Sequence, residues 1–170
     1  DERKAYILLS VYGFAASIFS FVIGHFWFQS PDNMVLTVLF YASLFLIGLQ
    51  FGAVTLMPMI MTADCVDYYE YETGKRMEGA AYSILTLTIK VCLALGTAVG
   101  LIFVQVSGYY DALGAGTFTT KTKDIIFFAY TALPGVLALL SIFPMFKYDI
   151  VGEKKAQISA ALSQRRAGKE

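Results

Sequence analysis

Four stretches of this 170-residue chain run for a bilayer-spanning length with almost no Asp, Glu, Lys or Arg: Ala5 to Phe28, Met34 to Thr62, Gly79 to Tyr110, and Ile125 to Phe146. The third is interrupted by one charge, Lys90. A helix needs roughly 20 apolar residues to cross a hydrocarbon core about 30 Å thick, so each run is long enough. A soluble four-helix bundle would instead keep a polar face on every helix, and a membrane barrel would alternate polar and apolar residues. Gly13, Gly24, Gly48, Pro58, Gly96, Gly100, Pro134 and Gly135 lie inside the runs. They would weaken soluble helices, but are common in spans whose neighbours satisfy the freed backbone groups. At 57% hydrophobic and 15% charged residues, the composition agrees. The sequence predicts an all-α, polytopic membrane domain over 1–152 with four transmembrane helices, then an amphipathic tail at 153–170.

Net charge is zero, but its distribution is lopsided. Four spans put both termini on one side, together with the segment joining spans two and three. Ten of the thirteen Lys and Arg lie there: Arg3, Lys4, Lys75, Arg76, Lys147, Lys154, Lys155, Arg165, Arg166 and Lys169. Only Lys121 and Lys123 lie opposite. By the positive-inside rule the termini are cytoplasmic, in a plasma (inner) membrane. The chain starts at Asp1 without an initiator Met, so a fragment is expected, and the first apolar run lacks a signal-peptide cleavage site. Cys65 and Cys92 fall at different depths and read as small buried thiols.

Lys90 lies about 16 Å into the membrane counting 1.5 Å per residue, close to the midplane. A cation there costs roughly 2.5 to 3.5 kcal/mol on insertion scales, so it needs an anion, water or a polar ligand. Ser83, Thr86, Lys90 and Thr97 share one helical face, a polar stripe facing a water-filled pathway. Cys92, Gly96 and Gly100 form a small-residue ridge on the other side, suited to close helix packing. His25 is either a proton-coupling group or an interfacial anchor, and Trp27 reads as part of an interfacial aromatic belt. Pro58 and Pro134-Gly135 are predicted kinks, and Asp111 to Lys123 a loop. In the tail, Ile158 and Leu162 among basic residues suit a helix lying on an anionic leaflet.

Between spans two and three lies a dense run of charge, Asp64-Cys-Val-Asp-Tyr-Tyr-Glu-Tyr-Glu-Thr-Gly-Lys-Arg-Met-Glu78. If the helix persists, Asp64 and Asp67 project together with Glu70 or Tyr71. No zinc motif, nucleophile elbow or phosphate loop occurs, so no enzyme and no metal site is expected. The acids and the nearby Lys75 and Arg76 suit an ion-pair latch made and broken during a conformational cycle, or a solvated charged loop.

The Asp64-x-x-Asp67-Tyr-x-Glu70 pattern, the Thr73-Gly-Lys-Arg76 turn, Glu78-Gly79, Ala81-Tyr-Ser-Ile84, the intramembrane Lys90, Ser107-Gly-Tyr109 and the Tyr148-Asp-Ile tail together resemble one family. It is the glycoside-pentoside-hexuronide:cation symporters, the melibiose-carrier-like branch of the major facilitator superfamily. The resemblance implies the last four helices of a twelve-helix major facilitator fold, with an amino-terminal half as partner. It implies that Lys90 lines the sugar and coupling pathway with Thr86 one turn before it, Ser83 joining them from the stripe. It also implies that Asp64, Asp67, Glu70 and Arg76 form the cytoplasmic charge network that holds the two halves together. Tyr69 stands where the family often has Gly, and Leu85 where the melibiose carrier has a polar sugar contact, so the likeness is to the family rather than to that carrier.

The function expected is cation-coupled (Na+ or H+) symport of a sugar or glycoside by alternating access. No cofactor is expected beyond the coupling ion, whose site lies outside this chain. The partners expected are the bilayer, the other half of the carrier and the substrate, not nucleic acid. The rival readings are a related carrier of lipids or other solutes, and a membrane scaffold or sensor without turnover.

Overall fold

The computed structural model describes residues 2–167; Lys169, counted above among the cations, lies outside them. All regular elements are helices: α1 (Glu2–Gln29), α2 (Met34–Thr73), α3 (Glu78–Val106), α4 (Tyr109–Ala115), α5 (Thr120–Tyr130), α6 (Ala132–Leu140), α7 (Ile142–Met145) and α8 (Gly152–Ala167). Among the described residues four stretches are long and apolar enough to cross a membrane: α1, α2, α3 and the composite α5 to α7 over Thr120–Met145.

α1 is the central helix, packed between α2 and the broken fourth span. Its buried face is Ser10, Gly13, Ala16, Ser17, Ser20 and Gly24, small residues at steps of three and four. Such a stripe lets helix backbones approach closely in a bilayer, where dispersion and hydrogen bonds replace the hydrophobic effect. The Gln50 side chain of α2 lies across Gly13, and the Phe127 ring of α5 fills the space a side chain would take at Gly24. A Cβ on Gly135 of α6 would stand 2.6 Å from the Ser17 Cβ. Ser20 and Ser43, both 0% exposed, share a hydrogen bond of 3.0 Å between α1 and α2.

α2 is 40 residues long, about 60 Å at 1.5 Å per residue and twice the hydrocarbon thickness. It begins at Asn33, whose Oδ1 accepts from the Val35 and Leu36 amides, and passes through Pro58 unbroken. It does not stop where the charges begin. Ala63–Thr73 continues as helix until Gly74, at φ 71°, turns the chain and donates its N–H to the Glu70 carbonyl. Only glycine takes this left-handed conformation without strain.

The fourth span divides at Thr131 and Ser141, in each case three residues before a proline. Pro134 and Pro144 lack an N–H and crowd the preceding turn, which breaks the ladder there. The Thr131 and Ser141 hydroxyls donate back to the Phe127 and Ala138 carbonyls at 2.7 Å. The expected loop at Asp111 to Lys123 is partly helical: α3 ends at Val106, and Thr119 caps α5 by accepting from the Thr122 amide. Trp27, expected in an aromatic belt, stacks on Phe40 at 4.5 Å and donates its indole N–H to Thr37.

Two expectations change. The ridge on α3 meets no helix of this chain, since nothing lies within 4 Å of a Cβ built on Gly96 or Gly100, and α3 as a whole buries no residue. The tail does not lay its apolar edge on a leaflet. Ile158 and Leu162 are buried with Ile150 against Tyr68 and Tyr71 of α2 and Tyr148. The long extension of α2 gives α8 a protein surface to dock on, and burial there satisfies the apolar edge.

Candidate functional site

Ser83, Thr86 and Lys90 share one face of α3, as their spacing predicts. With Gly79, Tyr82 and Leu87 they line an open depression of about 440 Å³. No carboxylate lines it, and among the described residues Lys90 forms no ion pair. The hydroxyl hydrogens are already engaged: Ser83 donates to the Gly79 carbonyl at 2.7 Å and Thr86 to the Tyr82 carbonyl at 2.8 Å. Toward the depression both hydroxyls therefore act as acceptors, and the Lys90 ammonium as donor. Thr97, one face with them, donates likewise to Leu93.

The four charged residues implied by resemblance divide into two groups. Arg76 gathers Asp67 at 3.0 Å, Glu70 at 2.8 Å and Glu78 at 3.0 Å around the turn between α2 and α3. Its hydrogen bonds to Glu70 first, then Glu78, hold the guanidinium above its ordinary range. Asp64 does not join. It is 8% exposed and takes Lys155 Nζ at 2.8 Å and the Tyr148 hydroxyl, which donates at 3.1 Å. The reason is rotational: each three-residue step on a helix turns back about 60°, so Asp64 and Glu70 point about 120° apart. Asp64 shares its face with Tyr68 and Tyr71, toward α8.

Sequence reasoning missed the far partners. Lys155 also pairs with Glu2 at 2.6 Å, and Arg166 donates to Glu70 at 3.0 Å. Arg165 donates to the Tyr71 carbonyl at 2.9 Å. Burial opposes the charge on Lys155, but hydrogen bonds to Asp64 and Glu2 outweigh it and raise its pKa above the usual lysine value. Burial, reinforced by Asp64, pushes the Tyr148 phenol up as well. A signal existed: Lys155, Ile158, Leu162 and Arg166 fall on one helical face, matching the acid and aromatics of Asp64, Tyr68 and Tyr71.

On the opposite side of the membrane, His25 Nδ1 lies 2.9 Å from Asp124 Oδ2 and its Nε2 lies 2.8 Å from the Gln29 amide nitrogen. The ring thus ties α1 to α5, an anchoring contact that its position near the aromatic belt did not specify. Among the described residues no three His, Cys, Asp or Glu gather as a metal would need.

Four long apolar helices, a lysine that pairs with no carboxylate among the described residues halfway along one of them, and a charged turn at its end mark the chain as a multi-pass membrane protein. Residues 2–152 match the family described as MFS/sugar transport protein, and the chain belongs to it. That is a family of transporters, not of enzymes. A protein of Pseudescherichia vulneris described as an uncharacterized 29.9 kDa protein in the crtE 3' region is 26% identical over 92% of this chain and 55% of its own length. The inner membrane symporter YicJ of Escherichia coli is 31% identical over 64% of this chain and 23% of its own length. A glucuronide carrier protein homolog of the same organism is 28% identical over 62% and 22%. The chain thus spans about half of the first relative and about a quarter of the two from Escherichia coli. No solved structure matches it significantly.

Proposed function

We propose that this chain supplies one wall of the solute pathway, and one gate, of a symporter that moves a sugar or glycoside with Na+ or H+ by alternating access. The observation that carries the reading is the unpaired Lys90 beside Ser83 and Thr86 in an open depression near the middle of α3. A polyhydroxylated solute complements it: its hydroxyl hydrogens reach the Ser83 and Thr86 oxygens, and its oxygens accept from the ammonium. A sugar bearing a carboxylate would also complete the ion pair that Lys90 lacks, in keeping with the name of the glucuronide carrier relative. The rest of the carrier faces this wall and holds the coupling ion.

Asp67, Glu70 and Arg76 are the gate, with Asp64 acting from the tail side. The positive-inside bias supports placing this gate and both termini in the cytoplasm. Counterflow of labelled sugars and glucuronides, by the natural full-length product in proteoliposomes, tests the pathway. Lys90→Ala should abolish it while Lys90→Arg retains part; counterflow unchanged in Lys90→Ala ends this reading. For the gate, Asp67→Asn or Arg76→Gln should shift the accessibility of single cysteines placed on the two sides. Identical labelling on both sides removes the gate assignment.

A further inference from the structure

With the apolar edge of α8 buried on α2, leaflet recognition must fall to other residues on the side of the termini. Arg3 and Lys4 begin α1, and Lys147 follows α7, which packs against α1. The two ends are held together by the Tyr6 hydroxyl donating to Ser141 at 2.8 Å, and by Arg3 Nη1 reaching the Tyr148 carbonyl at 3.5 Å. None of the three cations has a carboxylate partner among the described residues. Glu2 holds Lys155 and Asp149 holds Lys154, each at 2.6 Å. Glu153, exposed at the start of α8, pairs with none of them. Within about two turns of these cations, large apolar side chains stand open on both elements: Leu8 and Val11 on α1, 71% and 49% exposed, and Phe143 and Phe146 around α7, 81% and 66% exposed.

We propose that Arg3, Lys4 and Lys147 seat the phosphate headgroup of an anionic phospholipid, whose acyl chains lie along Leu8, Val11, Phe143 and Phe146. Unpaired cations at the depth of the headgroups attract anionic lipid electrostatically. The adjoining apolar surface selects a lipid over a free phosphate, since a soluble anion gains nothing from it. The tail helix favours the site indirectly by occupying the neighbouring acids.

Native mass spectrometry of the natural full-length product, released from neutral detergent with phosphatidylglycerol or phosphatidylcholine added, reads the site directly. Retention of phosphatidylglycerol should exceed that of phosphatidylcholine, and Arg3→Gln and Lys147→Gln should each lower it roughly fivefold. Lys75→Gln, on the exposed turn away from this surface, should leave it unchanged. Lys147→Gln breaks no side-chain hydrogen bond or ion pair among the described residues, so it decides the matter even if the Arg3 variant folds poorly. Equal retention of the two lipids, unchanged retention in Lys147→Gln, or equal competition by glycerol phosphate at the same concentration would each overturn the proposal.

Discussion

α1 and α3 are nearly equal in length, 28 and 29 residues, and equally apolar to the eye, yet they occupy opposite situations. α1 buries a seam of Ser, Gly and Ala against two neighbours, and its hydroxyls bond across to another helix, as Ser20 does to Ser43. α3 carries small residues at four-residue spacing too, but Gly96 and Gly100 face open space. Its Ser and Thr hydroxyls bond back to their own helix. Within this chain the small residues of α1 have helices to pack on and those of α3 do not.

The largest effect should come from the open helix. Lys90→Ala removes a charged hydrogen-bond donor, worth roughly 1.5–3 kcal/mol, and should weaken substrate binding about ten- to a hundredfold by equilibrium dialysis. No change would erase the functional half of the contrast. Next, Gly24→Leu must displace the Phe127 ring, an overpacking that costs about 1–3 kcal/mol in thermal or denaturant unfolding. Gly100→Leu has room and should leave the packing within this chain unaffected; equal losses would show that α3 is as tightly seated as α1.

A smaller effect separates the hydroxyls. Ser20→Ala removes the buried hydrogen bond between α1 and α2 while Ser43 keeps its own to the Phe40 carbonyl at 2.7 Å, and should cost about 1 kcal/mol, whereas Thr97→Ala removes only a bond within its own helix and should be close to neutral. The smallest effect concerns α8, seated like α1 but by charge. Lys155 has a raised pKa, so its stabilising ion pairs are fully present below the ordinary lysine value of 10.5 and are lost as pH rises through the raised value. Protease cleavage of α8 should therefore be flat from about pH 6 to about pH 9 and accelerate only in stronger alkali. Acceleration near neutrality would mean that Lys155 does not hold the tail.

Much of the candidate site was legible in one dimension. Ser83, Thr86 and Lys90 fall on one face because helix periodicity alone puts them there, and Arg76 reaches Asp67 and Glu70 across a single turn. Asp64 stands apart from the Arg76 cluster because its partners lie 84 and 91 residues away in Tyr148 and Lys155. No local pattern on α2 encodes them. The seam of α1 was also missed, since Gly13 and Gly24 looked only like glycines tolerated in a membrane. Whether a small residue faces a neighbour depends on a second helix.

Membrane crossing, helix count and the lone midspan cation were determined by the sequence by itself, because lipid demands long apolar runs with at most an isolated charge, a condition each run meets on its own. Only the tertiary structure decided that α1 is the hub, that α3 buries no residue against the other helices of this chain and that α8 docks on α2. Those outcomes depend on which surfaces meet, and helix–helix contact in a bilayer is set by shape and hydrogen bonding between distant segments, not by the hydropathy of either one.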